Sequence, residues 1–197
     1  MEIDKKIITC DCINSSCVYF SSCDRLPTEI NIIDESSKTI MFVGMGAGKV
    51  ESLKKMPWVG PAGKYLRSII KSMWQENILF NIALTNNVRF HPLYTSGKDR
   101  PPTDSEIKTC IPILYRDIES IKPHAIMTMG INATNSLDSN TIGKSMGSLC
   151  GKRIERDSLT IVPCYHPSFL TRTYGSFKKE ENNEYDTKVI NAIKSVL

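Results

Sequence analysis

Residues 39–48 read TIMFVGMGAG, an apolar run that passes directly into a loop with three glycines. Such a run is typical of a strand that is buried on both faces of a sheet. Further strands are predicted by similar runs at residues 82–85, 125–130 and 159–163. Amphipathic helices are predicted at residues 63–77 and 184–197, and a short helix at residues 132–137. Thr103 followed by Glu106 has the form of a capping box, which predicts the start of a further helix that runs to about residue 121. Because strands and helices alternate, we predict an α/β fold with three layers, α/β/α, around a central, mostly parallel four-stranded sheet.

The composition is that of a globular protein. The chain has 197 residues, of which 41% are apolar and 23% charged, and this length suits a single domain over residues 1–197. The sequence contains no run of about 18 apolar residues, so no transmembrane helix is predicted. The N-terminus also lacks the apolar region of a secretory signal. We therefore expect a monomer without a membrane partner, located in the cytoplasm or, for a viral gene, in the host-cell interior.

Three features with polar or flexible residues directly follow predicted strands. They are the glycine loop at residues 44–48, Asn86 and His166. In open α/β sheets, ligands bind outside the carboxyl ends of the strands. We therefore expect one site at this edge of the sheet. The glycine loop fits neither the phosphate-binding Walker motif nor the dinucleotide-binding G-x-G-x-x-G motif.

Cysteines are concentrated near the N-terminus. Four of the seven fall within the first 23 residues, at positions 10, 12, 17 and 23. Disulfides are rare in the cytosol, so clustered cysteines indicate metal binding or reactivity more often than cross-links. We predict that residues 1–37 form a Cys-rich segment that packs on the domain as part of a metal site. Cys150 and Cys164 are interpreted as small buried residues.

A second motif follows the glycine loop. Residues 56–63 read MPWVGPAG and directly precede a predicted helix. Together with the loop, this motif resembles motif 1 of the uracil-DNA glycosylase superfamily, in its iron–sulfur branch known as family 4. LTNNVR at 84–89 and YHPSFL at 165–170 resemble two further motifs of that family, and RPPT at 100–103 resembles the loop before a cluster cysteine. The motifs occur in the family's order over residues 23–172.

The resemblance implies an enzyme of base-excision repair that hydrolyses the N-glycosidic bond of uracil, or of a related 5-substituted base, in DNA. Trp58 would stack on the flipped base, Asn86 would read its edge, and His166 would stabilise the leaving anion. The remaining pocket residues would be Gly44, Met45, Gly46, Ala47, Gly48 and Ser168. Contacts with DNA, the implied partner at the nucleoid, would come from Lys98, Arg100, Leu170 and Arg172.

The catalytic motif departs from the family pattern. Family 4 has a Glu where this chain has Met45, and related families have an Asn where it has Gly46. The nearest carboxylate is Glu51, which becomes the candidate for positioning the water. Two other interpretations stay open: a catalytically impaired member that binds DNA or a protein, and a member specialised for a modified base.

The cluster motif also departs from the pattern. Phe90 stands where the family has a ligand cysteine, whereas Cys110 fits the family's last ligand. The resemblance therefore implies a rearranged [4Fe–4S] site whose ligands are Cys12, Cys17, Cys23 and Cys110, with Cys10 spare. Zinc on four thiolates is the alternative metal, and a chain that has lost the cluster is a further alternative.

Overall fold

The computed structural model describes residues 3–9, 25–175 and 183–197. Its centre is a seven-stranded sheet with the order β1-β2-β4-β3-β5-β7-β6. The strands are β1 (Asp4–Ile8), β2 (Thr28–Ile32), β3 (Thr39–Gly46), β4 (Asn81–Val88), β5 (Ala125–Met129), β6 (Ile154–Arg156) and β7 (Leu159–Cys164). The four central strands are parallel to one another, and the other three pair antiparallel with their neighbours.

The α/β class and the mostly parallel sheet are confirmed, but the predicted number of four strands is wrong. The predicted strands are the four parallel ones. The missed strands are β1, β2 and β6, which lie towards the two edges of the sheet. Strand β1 is almost wholly exposed and β6 has only three residues. Because β1 and β6 bury little apolar surface, they lack the apolar run on which the prediction depended, whereas β2 is largely buried but alternates polar with apolar residues.

Helices connect the strands and cover both faces of the sheet. They are α1 (Lys49–Lys54), α2 (Pro61–Gln75), α3 (Asp104–Ile121), α4 (Ile131–Leu137), α5 (Met146–Leu149), α6 (Ser168–Tyr174) and α7 (Asn183–Lys194). The capping box predicted at the start of α3 is present: the Thr103 side chain accepts from the Glu106 amide, and the Glu106 carboxylate accepts from the Thr103 amide. This reciprocal pair satisfies two amides that the helix itself leaves unpaired.

Two apolar clusters lie on opposite faces of the sheet. The larger one packs α2 and α7 against one face, with Phe42, Leu66 and Val189 among its buried members. The smaller one packs α3 and α4 against the other face, around Met41 and Leu114. The predicted three layers are therefore confirmed. No helix in the described ranges is long and apolar enough to cross a membrane.

Strand register sets which residues meet at the carboxyl edge. Strands β3 and β4 pair in parallel with Gly44 opposite Asn86. On the other side of β3, Met129 at the end of β5 pairs with Cys164 at the end of β7, two residues before His166. The glycine loop, Asn86 and His166 thus leave the sheet at the same edge.

Candidate active site

A cavity of about 460 Å³ opens at the carboxyl ends of the central strands. It brings together residues that are far apart in the sequence and that the motifs singled out. Among its lining residues are Gly46, Ala47, Gly48, Glu51, Trp58, Asn86, His166 and Ser168. Gly44 lies beneath this group, in contact with Asn86 and Trp58. The volume is that of a small-molecule site.

Gly44 allows Asn86 and Trp58 to approach the backbone of β3. A Cβ atom at Gly44 would lie 2.3 Å from Oδ1 of Asn86 and 2.9 Å from Cζ2 of Trp58. Both distances are shorter than van der Waals contact, so any side chain here would displace these two groups. Asn86 is only 5% exposed, and no other described residue hydrogen-bonds its side chain. Its amide is therefore available to a ligand.

Trp58 is held rigidly as one wall of the cavity. Its Nε1 donates to the carbonyl oxygen of Thr85 at 2.8 Å, and its own carbonyl accepts from Nε of Arg67 at 3.0 Å. The residue has a left-handed backbone with φ of 56°. Gly63 makes room for it, since a Cβ there would lie 2.1 Å from the Trp58 carbonyl oxygen. The V-G-x-A-G part of the motif thus sets the position of the ring.

His166 packs beside Trp58 at the cavity, with 5.3 Å between the ring centroids. The Ser168 amide donates to Nδ1 of His166 at 3.1 Å, and the Ser168 hydroxyl lies 2.8 Å from the same atom. Burial, helped by the positive charge of Arg172, lowers the pKa of His166 to about 4. The ring is therefore neutral at pH 7, and because Nδ1 accepts, its proton is on Nε2.

Arg172 acts on this ring through Ser168. Its Nη1 donates to the Ser168 hydroxyl at 2.8 Å. Because the hydroxyl oxygen accepts from Arg172, the hydroxyl group can donate its proton to Nδ1 of His166. The two hydrogen bonds form a chain that fixes both the tautomer and the orientation of the imidazole.

Glu51 and Ala47 hold the cavity walls together. Oε1 of Glu51 accepts from the Gly60 amide at 2.7 Å, which ties α1 to the loop before α2. The Ala47 amide donates to the Phe90 carbonyl oxygen at 3.3 Å. This amide therefore anchors the glycine loop and does not face the cavity.

Met45 points away from this cavity, towards Asn87. Nδ2 of Asn87 is 3.8 Å from the Met45 sulfur, a weak acceptor. Asn87 is fully buried, and its Oδ1 has no hydrogen-bond partner within the described ranges. Asn87 is not among the residues that the sequence motifs predict for the site. Its signal was a second amide side chain beside Asn86 in a strand that is buried along its whole length.

Of the four residues expected to contact DNA, Leu170 is buried and Arg100 is engaged in an ion pair within the protein. Leu170 is 0% exposed and belongs to the larger core cluster, so it cannot insert into a duplex without movement of α6. Arg100 binds both carboxylate oxygens of Glu106, at 2.6 and 2.7 Å. This ion pair links the loop before α3 to the first turn of that helix. The other two, Lys98 and Arg172, are exposed.

Cys110 is the only expected metal ligand among the described residues. It is 2% exposed and packs with Val88 and Phe90. The other expected ligands, Cys12, Cys17 and Cys23, lie outside the described residues. Among the described residues, no group of three or more His, Cys, Asp or Glu side chains could hold a metal.

The described residues on either side of residues 10–24 contact elements near Cys110. The Thr9 carbonyl oxygen accepts from Arg116 of α3 at 3.1 Å. The Leu26 amide donates to the Arg89 carbonyl oxygen at 2.7 Å, next to Phe90. These contacts therefore involve the helix that holds Cys110 and the end of β4 that packs against it.

Known proteins resemble this chain along most of its length. The family model of the uracil DNA glycosylase superfamily matches residues 30–194. A type-4 uracil-DNA glycosylase of Saccharolobus solfataricus is 33% identical over 142 residues, which are 68% of this chain and 62% of that protein. One of Archaeoglobus fulgidus is 28% identical over 174 residues, 84% of this chain and 82% of that protein.

A third relative, the type-4 uracil-DNA glycosylase of Sulfurisphaera tokodaii, is 32% identical over 137 residues, 66% of this chain and 59% of that protein. The matched region thus spans about three fifths of the Saccharolobus and Sulfurisphaera proteins. The family model covers well over half of the chain and includes every motif that lines the cavity. The chain therefore belongs to the uracil DNA glycosylase superfamily.

Proposed function

We propose that this protein is a monofunctional DNA glycosylase that hydrolyses the N-glycosidic bond of uracil, or of a related 5-substituted base, in DNA. The observation that carries the proposal is the cavity in which a free amide, a fixed indole and a neutral imidazole meet. These groups are Asn86, Trp58 and His166. Family membership and the type-4 glycosylase names of the relatives support the same reaction.

Base recognition would depend on Asn86 and Trp58. An enzyme that acts on a base in DNA must first flip it out of the stack. An amide offers one donor and one acceptor side, which complements the imide edge of uracil. The indole of Trp58, held by its bond to Thr85, offers an aromatic surface against which the base can stack.

Bond cleavage would depend on His166. When the bond between C1′ and N1 breaks, the electron pair leaves with the base, and the anion needs a hydrogen-bond donor. Nε2 of a neutral His166 can donate to the carbonyl oxygen that gains this charge. Because the donor is oriented before the reaction by Ser168 and Arg172, it stabilises the transition state without reorganisation. Glu51, whose Oε1 is anchored at Gly60, would stabilise the positive sugar electrostatically.

We further propose a [4Fe–4S] cluster held by Cys110 together with Cys12, Cys17 and Cys23. The support is that Thr9 and Leu26, which flank residues 10–24 in the sequence, contact Arg116 of α3 and Arg89 beside Phe90. When bound, the cluster would act as a structural cross-link and take no part in hydrolysis. Metal analysis of protein purified without oxygen separates iron from zinc.

The function is tested with purified protein and oligonucleotides that contain a single uracil, in single-stranded and double-stranded form. Alkali cleaves the strand wherever an abasic site has formed. We expect uracil-dependent cleavage, and a panel of 5-substituted uracils then ranks the bases that the pocket accepts. Absence of abasic sites from every substrate in the panel refutes the proposal.

The second candidate function is DNA binding without base release. It is favoured by Met45, which puts a thioether where the family 4 motif that the sequence resembles has a glutamate. A gel shift on the same oligonucleotides decides between the two. Retained binding to uracil-containing DNA with no abasic product would establish the binding function in place of the enzyme.

A further inference from the structure

A second cavity, of about 390 Å³, lies on the other side of the glycine loop. It shares Gly46, Ala47, Gly48 and His166 with the base cavity, so the two are adjoining spaces of one site. Under the proposed function, a base held in the first cavity would leave its sugar on the side of these shared residues, towards the second cavity.

His91 and Asp99 lie side by side at this second cavity. Nε2 of His91 lies 2.9 Å from Oδ1 of Asp99. The imidazole is only 10% exposed, whereas the carboxylate is 76% exposed. No group in the described part of the chain hydrogen-bonds Nδ1 of His91. An imidazole that carries its proton on Nε2, the nitrogen nearer to Asp99, would present a lone pair at Nδ1.

The loop that carries the pair is well anchored. Arg89, two residues before His91, forms a buried salt bridge of 2.7 Å with Asp117 of α3. After His91, Pro92 accepts from the Arg100 amide at 3.2 Å, and a bridge between Leu93 and Asp99 closes the turn. The imidazole is therefore held in place by elements on both sides.

The other charged or titratable side chains around this cavity are engaged elsewhere. Arg100 binds Glu106, and Arg172 donates to Ser168. Nδ1 of His166 already accepts from the Ser168 amide. Among the described groups that line this cavity, His91 thus offers an imidazole nitrogen that is free to accept a proton.

We propose that His91, oriented by Asp99, is the proton acceptor for the water that attacks C1′. The inference rests on the proposed glycosylase function. The base leaves into the first cavity with the electron pair of the C1′–N1 bond. Water approaches from the opposite side, its oxygen bonds to C1′, and its proton passes to Nδ1 of His91. The imidazolium then returns this proton to solvent, and the uracil anion takes up a proton from solvent.

The role of Asp99 is that of a positioning residue. Its carboxylate keeps the proton of His91 on Nε2 and stabilises the imidazolium that forms. Glu51 does not take this role, because it lines only the base cavity, on the side of the leaving group. Met45 lines the second cavity but has no group that accepts a proton. The pair thus supplies the function that the missing carboxylate would have had.

The test is His91→Gln, compared with wild type and with His124→Gln. Glutamine retains an N–H donor for Asp99 but has no basic nitrogen. His124 is exposed and precedes β5, at the opposite edge of the sheet, so its variant controls for loss of a histidine. We expect His91→Gln to lower kcat/KM about 100-fold, while His124→Gln remains at the wild-type value.

Two further measurements separate a chemical role from a structural one. Affinity for an oligonucleotide with uncleavable 2′-fluoro-2′-deoxyuridine should be the same for His91→Gln and wild type, since base binding does not involve His91. Added imidazole should restore part of the activity of His91→Ala, because it supplies the missing base.

The outcomes distinguish this inference from the proposed function. Wild type that releases uracil, with His91→Gln equally active, refutes the role of His91 and leaves the glycosylase intact. Loss of activity together with loss of 2′-fluoro binding, and no rescue by imidazole, assigns His91 to structure and also overturns the inference. Wild type that releases no base refutes both.

Discussion

Replacement of Met45 by glutamate should raise the rate of base release. The Met45 sulfur now receives only weak contacts, from Nδ2 of Asn87 at 3.8 Å and from the Ser136 hydroxyl at 4.0 Å. A carboxylate at this position could accept from both donors. It would also carry a negative charge beside the second cavity, on the side where the proposed reaction places the sugar. The substitution therefore adds a second carboxylate to the one that Glu51 provides in the base cavity.

The expected increase in rate follows from the loss of rate that removal of such a group normally causes. A positioned polar catalytic group contributes about 10²–10⁴-fold in rate, and this factor corresponds to about 3–5 kcal/mol of activation free energy. We expect the lower end, about 100-fold, because the loop has not been selected around a carboxylate. The charge-assisted hydrogen bond from Asn87 contributes about 1.5–3 kcal/mol, which offsets partial desolvation of the charge. The free energy of unfolding should therefore change by no more than about 1 kcal/mol.

The assay is a single-turnover measurement with excess enzyme on a uracil-containing oligonucleotide. Met45→Gln is the matched control, since it has the same length and accepts the same hydrogen bond but carries no charge. The glutamate variant should be far faster than the glutamine variant, which should stay near wild type. In addition, His91→Gln should cost less in the Met45→Glu background, because the two groups serve one step. If the folded glutamate and glutamine variants react at the same rate, the electrostatic reasoning is wrong.

Three further predictions concern the pocket, its titration and the cluster. Gly44→Ala should abolish uracil release, because its Cβ would lie 2.3 Å from Oδ1 of Asn86. Gly46→Ala is the control and should keep most of the rate, since the nearest atom to its Cβ would lie at 3.4 Å. Equal rates of uracil release for the two variants would contradict this prediction. Burial lowers the pKa of His166 from 6.5 to about 4, so between these pH values the unfolded chain binds a proton that the folded protein excludes. The free energy of unfolding should therefore fall as the pH drops through this window, by at most about 3 kcal/mol. In urea unfolding, the free energy of His166→Asn should depend less on pH than that of the wild type. An equal pH dependence for the two proteins would contradict the lowered pKa of His166. Cys110→Ser should reduce the iron content and the visible absorbance of protein purified without oxygen, and an identical spectrum would exclude Cys110 as a ligand.

The sequence alone was sufficient for the features that depend on local patterns. Four apolar runs predicted the parallel strands, because a strand covered by helices on both faces must be apolar along its length. Thr103 and Glu106 predicted the start of α3, since a capping box involves only neighbouring residues. The position of polar residues after strands predicted the edge at which the cavity lies.

Features that depend on contacts between distant parts of the chain required the tertiary structure. Strand β2 was missed because its place beside β4, some 50 residues later, depends on long-range pairing. Leu170 follows a motif that suggests a DNA contact, yet the packing of α6 buries it completely.

The same distinction applies to the chemistry of the site. The motifs named Trp58, Asn86 and His166, because a resemblance in residue type and order is visible in one dimension. The pairing of His91 with Asp99 and the contact of Asn87 with Met45 leave no such pattern. Both depend on where loops and strand ends come to lie in space. The sequence thus determined the family and three residues that line the first cavity, whereas only the folded chain showed that His91 and Asp99 lie together at the second cavity.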